Sequence, residues 1–160
     1  MLHVAQYQPA IPQNTGAIAR QCVGMNAHLH IIGPTSFEVT DHAAKRAGLD
    51  YWPYLHLTLH GDVDTFLEWL GTRRVWLITK FGGTRFDQAD YADEDVLLLG
   101  NENHGVPEHI HQQFADTRLW IPMPGTDKGN VRSYNVSNAA AIVLACARVR
   151  VSPDLRPDPA

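Results

Sequence analysis

Glycine, asparagine, serine and threonine crowd three stretches of the chain: TKFGGTR (residues 79–85), GNENHGVP (100–107) and PMPGTDKGNVRSYNVSN (122–138). Each follows an apolar run. Small residues let backbone N–H and C=O groups approach a ligand closely, so such loops suit a cofactor gripped largely by main chain. A single loop of this kind is weak evidence, because ordinary turns use the same residues. Three loops on one edge of a sheet are stronger evidence. A fourth polar stretch, QPAIPQNTGAIAR (8–20), places Asn14 and Arg20 after the first apolar run. The last of the three loops runs directly into a helix of small apolar residues, AAAIVLACA (139–147).

Other chemistries find little support. The first loop has no G-x-G-x-x-G, which argues against an ordinary dinucleotide site. TDKGN resembles a phosphate loop only superficially, since G-x-x-x-x-G-K-[ST] is absent. G-x-S-x-G does not occur, and neither Ser133 nor Ser137 has a histidine close in sequence. Cys22 reads as a buried, inert thiol. Nine histidines invite a metal, yet His56 and His60 fall in a strand and its turn, and His109 and His111 point to different sides of a helix. With no cysteine or carboxylate completing a set, solvated surface histidines and no metal are expected.

The elements that must position these loops alternate regularly. Strands are predicted at HVAQY (3–7), HLHIIG (28–33), YLHLTL (54–59), VWLIT (75–79), DVLLLG (95–100) and TRLWIPM (117–123). Helices are predicted at NTGAIARQCVGM, capped by Asn14 or Thr15, at TDHAAKRAG, at DVDTFLEWLG capped by Asp62, at VPEHIHQQF and at SNAAAIVLACARV. Strands apolar on both faces that alternate with helices imply an α/β fold, a parallel sheet flanked by helices. Ligands of such sheets sit beyond the carboxyl ends of the strands, where the three loops lie. The expected organisation is one domain over residues 1–150, with VSPDLRPDPA ending the chain as a disordered tail (151–160).

Composition sets bounds. The chain has 160 residues, 44% of them hydrophobic, enough for a sizeable core, and a net charge of −4 that gives no global signal for a polyanion. Basic residues nonetheless cluster at Lys45–Arg46, Arg73–Arg74, Lys80 with Arg85, and Lys128 with Arg132. No run approaches the ~18 apolar residues of a membrane span. The N-terminus lacks the features of a signal peptide, and two cysteines do not make a disulfide framework, so a cytoplasmic protein is expected.

Taken in order, QPAIPQNTGAIAR, KRAGLDYW, LLLGNENHGVP, and IPM followed by RSYNVSNAAAI resemble the motifs of the SpoU branch of the SPOUT methyltransferases. The resemblance covers residues 1–148 and is closest to the small tRNA (cytidine/uridine 2′-O)-methyltransferase subfamily, TrmL (YibK). It implies a SPOUT fold with a C-terminal deep trefoil knot, a homodimer with the active site near the subunit interface, and S-adenosyl-L-methionine as cofactor without a metal. The activity implied is 2′-O-methylation of the ribose at the tRNA wobble nucleotide, within the anticodon stem-loop. Alternatives are ribosomal RNA, another tRNA position, or a non-catalytic RNA-binding knotted dimer.

The same resemblance nominates residues. Arg20 would orient or activate the hydroxyl, with Asn14 fixing its geometry and Ser133 beside the reacting groups. Ile78 and Thr79 would line the cofactor site from the fourth strand. Gly100, Asn101 and Glu102 would do so from the fifth, and Ile121, Met123, Ser133 and Tyr134 from the last loop. Arg46, Lys80, His104, Lys128 and Arg132 would hold RNA. The segment PGTDKGNVR looks longer than in close relatives, and Tyr134 stands where leucine or methionine is usual.

Overall fold

The computed structural model describes residues 1–125 and 131–155. Seven strands form one parallel sheet: β1 (His3–Tyr7), β2 (His28–Ile32), β3 (Leu57–His60), β4 (Val75–Ile78), β5 (Thr84–Arg85), β6 (Val96–Leu99) and β7 (Arg118–Trp120). Their spatial order is β3-β2-β1-β6-β4-β7-β5. The helices are α1 (Pro12–Gly24), α2 (Asp41–Arg46), α3 (Val63–Leu70), α4 (Glu108–Gln113) and α5 (Val136–Val151). The order reverses direction beside β1: β2 and β3 extend one way, then the chain crosses back to β4 on the other side. β6 fills the position between β1 and β4. None of the helices described is long and apolar enough to cross a membrane.

The two-residue period of a strand divides the core into two layers. On β6, Leu97 and Leu99 face the layer built with Ile18 and Cys22 of α1 and Val143 and Leu144 of α5. Val96 and Leu98 face the other, with Phe66 and Leu70 of α3 and Ile110 of α4. Alanines at 139, 140 and 147 bury the small face of α5.

Several expectations required correction. α1 starts at Pro12, with Ile11 as N-cap and no side-chain cap, so neither Asn14 nor Thr15 serves. Proline suits this first helical position, since its missing N–H needs no partner. β3 begins at Leu57 because Trp52–Tyr54, containing Pro53, forms a 3-10 turn instead. β7 ends at Trp120, leaving Ile121, Pro122 and Met123 in the loop. The sheet also gains β5 from inside TKFGGTR. Gly83 permits this pairing: its φ is +128°, and a Cβ there would collide with the Arg118 carbonyl on β7. α5 reaches Val151, into the expected tail; residues 156–160 lie outside those described.

The histidines are the largest departure. His3, His30 and His60 are buried and His28 is half-buried, not solvated. His3 on β1 and His28 and His30 on β2 all project to the α3 side, where Trp69 lies 4.0 Å from the His30 ring and 5.1 Å from His3 between centroids. Burial lowers the affinity of these rings for a proton, taking His30 down to about 2. On the α1 and α5 side of the sheet, beside Trp76, Asp95 is buried and fully engaged. It accepts from Arg74 Nε at 3.0 Å and Nη2 at 2.8 Å, Trp76 Nε1 at 2.8 Å and Ala92 N at 2.9 Å.

Candidate active site

The carboxyl ends of β4, β6 and β7 open onto a cleft of about 620 Å³, a size that suits a small-molecule site. After β4, Ile78, Thr79 and Lys80 line it. Gly100, Asn101, Glu102 and His104 enter from the loop after β6. Ile121 and Met123 follow β7, and Arg132, Ser133 and Tyr134 precede α5. Asn14 reaches the cleft from the first turn of α1. The walls are apolar where Ile78, Ile121, Met123, Val106 and Ala139 meet, and polar along the three loops.

Backbone crowding shapes the floor. A Cβ on Gly100 would sit 2.7 Å from Gly105 Cα and 3.1 Å from Val106 N. No side chain fits there, and the loop closes on itself through paired backbone hydrogen bonds between Asn101 and Gly105 at 2.9 and 3.0 Å. The Asn101 side chain accepts from Asn103 N at 2.8 Å and donates to the Gln8 carbonyl. This ties the β6 loop to the β1 loop.

Glu102 extends that tie. Its carboxylate accepts from Ala10 N at 2.8 Å, Ile11 N at 3.2 Å and Asn14 Nδ2 at 3.2 Å. An acceptor from another loop therefore serves the uncapped start of α1, where a carboxylate is also favoured by the helix dipole. Asn14 passes the connection on: its Oδ1 accepts from Asn135 Nδ2 at 3.0 Å. Asn135 Oδ1 in turn caps α5, accepting from Ser137 N at 2.9 Å and Ser137 Oγ at 2.6 Å. Tyr134 Oη donates to the Pro122 carbonyl at 3.3 Å, bracing the other end of the last loop. One polar relay thus joins the loops after β1 and β6 to the helix that follows the third loop.

Two expected residues do not line the cleft. Arg20 is exposed on α1, its Nη2 3.6 Å from Asp50 Oδ1 and its guanidinium 5.0 Å from the Tyr51 ring centroid. Arg46 is exposed on α2, paired with Glu38 at 3.4 Å. Lys128 lies outside the described residues. Sequence reasoning passed over Phe81, His111 and the structural part of Asn135, all at the cleft. The dense polar run before α5 carried the signal for Asn135; nothing in sequence indicated that His111 of α4 would come near the β4 loop.

Residues 1–145 match the SpoU rRNA Methylase family. The chain belongs to that family. A SpoU relative from Methylovorus glucosotrophus, a tRNA (cytidine(34)-2′-O)-methyltransferase, is 37% identical over 145 residues, spanning 90% of this chain and 92% of its own. A Bacillus subtilis relative is 40% identical over 146 residues, 89% of each chain. Among solved structures, one described as giving insights into the 2-OH methylation of C/U34 on tRNA superposes with a TM-score of 0.85 at 39% identity, covering 94% of this chain and 95% of that one. A candidate RNA methyltransferase from Bacillus anthracis superposes with a TM-score of 0.88 at 36% identity over 99% of both chains.

Proposed function

We propose that this chain methylates the ribose 2′-hydroxyl of the tRNA wobble nucleotide, cytidine or uridine 34, with S-adenosyl-L-methionine as donor. The observation that carries this reading is the convergence of the three loops on one cleft in a chain so similar, over nearly its whole length, to a tRNA (cytidine(34)-2′-O)-methyltransferase. The cleft fits the donor. Its apolar wall of Ile78, Ile121, Met123 and Val106 suits a purine ring, and the crowded Gly100–Gly105 backbone leaves main-chain groups to meet polar edges. When bound, S-adenosyl-L-methionine supplies a sulfonium methyl open to in-line attack.

The residues then divide the work. Lys80, His104 and Arg132 line the cleft and meet phosphate of the incoming RNA. Asn14, held by Glu102 and Asn135, fixes geometry beside the ribose, and Ser133 contributes a hydroxyl at the same wall. Positioning supplies most of the acceleration. Arg20 acts across a homodimer. Exposed on α1 and outside its own cleft, it reaches the cleft of a second protomer, where it orients the hydroxyl and binds the neighbouring phosphate. As a delocalised, permanently charged guanidinium it serves as an activator rather than a base. Ile11 and Met25 beside α1 and Val149 on α5 expose apolar surface for that contact. In this reading α5 is the segment threaded into the trefoil knot of the fold family.

The test is to incubate the protein with S-adenosyl-L-methionine and separated tRNA and ribosomal RNA from cells lacking its gene, then locate new methyl groups by mass spectrometry of RNase fragments. A 2′-O-methyl at nucleotide 34 of tRNA supports the proposal. Methylation only in ribosomal RNA or elsewhere in tRNA rejects the substrate, and no methylation of either pool rejects the activity. Arg20→Ala should abolish transfer while retaining donor binding. Transfer at the parental rate, or a monomer in sedimentation, removes the role given to Arg20.

A further inference from the structure

The histidines of β1 and β2 lie remote from the cleft, near the amino ends of the strands. His28 and His30 occupy alternate positions of β2 and therefore project to the same side of the sheet. His3 is in direct register with His28 on the adjacent strand. One ring nitrogen from each of the three can be chosen so that all lie within 4.8 Å of one another. Backbone pairing in the middle of a sheet sets these positions, so their approach is not a chance of flexible side chains.

The surroundings are those of ligating imidazoles. His3 Nδ1 faces His30 Nε2 at 3.0 Å. The opposite nitrogen of each ring already has an outer partner: His3 Nε2 lies 3.4 Å from Glu94 Oε2, and His30 Nδ1 lies 3.0 Å from His60 Nε2. A ligating histidine characteristically donates its second N–H to such a partner, which fixes both tautomer and ring orientation. The rings of His28 and His30 stack at 4.4 Å between centroids, and Trp69 closes the pocket from α3.

We propose that His3, His28 and His30 form a three-histidine site for one zinc ion, clamping β1 to β2 and leaving the fourth position to water. Imidazole nitrogen suits zinc, and three ligands with an open fourth position is a geometry that this ion accepts. Tetrahedral bonds of ~2.1 Å place ligand nitrogens roughly 3.4 Å apart. The His3–His30 pair at 3.0 Å therefore opens slightly, and half-buried His28, paired only with Thr58 Oγ1 at 2.9 Å among the hydrogen bonds described, swings inward. Protons balance. Without the ion, His60 Nε2–H donates to His30 Nδ1, and His30 Nε2–H donates to His3 Nδ1. With the ion, His30 and His60 both become Nδ1–H tautomers, His30 Nδ1–H donates to His60 Nε2, and no proton is released.

The experiment uses the full chain stripped with a chelator and titrated with cobalt(II), then zinc(II). One equivalent of cobalt should give the intense visible absorption of a four-coordinate ion, and zinc should bleach it. His28→Gln and His3→Gln should each weaken binding at least tenfold, as loss of a ligand does, while His109→Gln with His111→Gln should not. Excess zinc should raise the melting temperature of the parent and not that of His28→Gln, which keeps the readout independent of any folding defect in His3→Gln. Imidazole nitrogen NMR should show the tautomer change in His30 and His60. Absence of tight cobalt binding, binding that survives both single variants, or binding lost only in the His109/His111 variant would overturn the site. Nitrogen spectra unchanged by zinc would leave the cluster as a chain of hydrogen-bonded neutral rings.

Discussion

Replacing Glu102 with glutamine tests whether the polar relay is what holds the cleft together. The carboxylate serves two groups of donors: Oε2 takes Ala10 N, and Oε1 takes Ile11 N and Asn14 Nδ2. Glutamine has one acceptor oxygen. If that oxygen keeps Ile11 and Asn14, the new amide N–H₂ is set against the Ala10 N–H, which is 2.8 Å away in the parent. One charge-assisted bond is lost, worth about 1.5–3 kcal/mol. Glu102 is only partly buried, so water offsets some of this, and a destabilisation of ~2 kcal/mol is expected. For a chain of this length that corresponds to a fall of roughly 4–8 °C in melting temperature.

The measurement is urea unfolding followed by far-ultraviolet circular dichroism, with the m-value unchanged so that the shift reports the native state. Asn14→Ala and the double variant complete a cycle. Residues sharing a hydrogen bond should couple by about 0.5–3 kcal/mol. Donor affinity should fall as well, because loosening the β1 loop loosens the cleft wall. A Glu102→Gln protein within ~0.5 kcal/mol of the parent, or strict additivity with Asn14→Ala, would refute this account and leave Glu102 as an ordinary rim residue.

Other substitutions probe separate parts. Asp95→Ala leaves Trp76 Nε1 without its acceptor and Arg74 held by Asp90 alone, and should cost about 1–3 kcal/mol by chemical denaturation, the range for stranding a buried donor. Gly100→Ala forces a Cβ against Gly105 Cα at 2.7 Å; donor binding measured by calorimetry should weaken at least tenfold, equivalent to ~1.4 kcal/mol, with the far-ultraviolet spectrum preserved. Burial raises the Cys22 thiol to about 12, so at pH 8 only ~10⁻⁴ of it is thiolate. Among the two cysteines, Cys146 alone should then react with a disulfide reagent in the native protein, and Cys22 only after denaturation or as pH climbs toward 12.

Apolar runs such as VLLL made the central strands legible, because a strand buried on both faces has no polar alternative. The loops that meet at the cleft were legible for a related reason: in a parallel sheet, everything after a strand emerges at the same edge. What escaped reading depended on partners distant in sequence. The start of α1 was misassigned because its acceptor is Glu102, 92 residues from Ala10. β5 is two residues long and exists by virtue of β7. Histidines 3, 30 and 60 look like surface residues in isolation and are buried only because α3 lays Trp69 and Phe66 across that face. Arg20, expected at the site, lies exposed on α1 against Asp50 and does not line the cleft.

The position of β6 bears on how the chain reaches this form. It lies between β1 and β4, both of which precede it in sequence. During synthesis the first 95 residues therefore hold strands on either side of a missing centre, with two unpaired edges turned toward one another. Such edges invite pairing with other chains, and the wait for a central strand favours slow, non-local assembly. Insertion of Val96–Leu99 seals both edges at once and brings Glu102 up to the start of α1 a few residues later. The gap between β1 and β4 thus closes only once β6 is made, and β7 and the Asn135 end of the relay follow later still, so nascent chains released before residue 102 carry sticky strand edges and no relay.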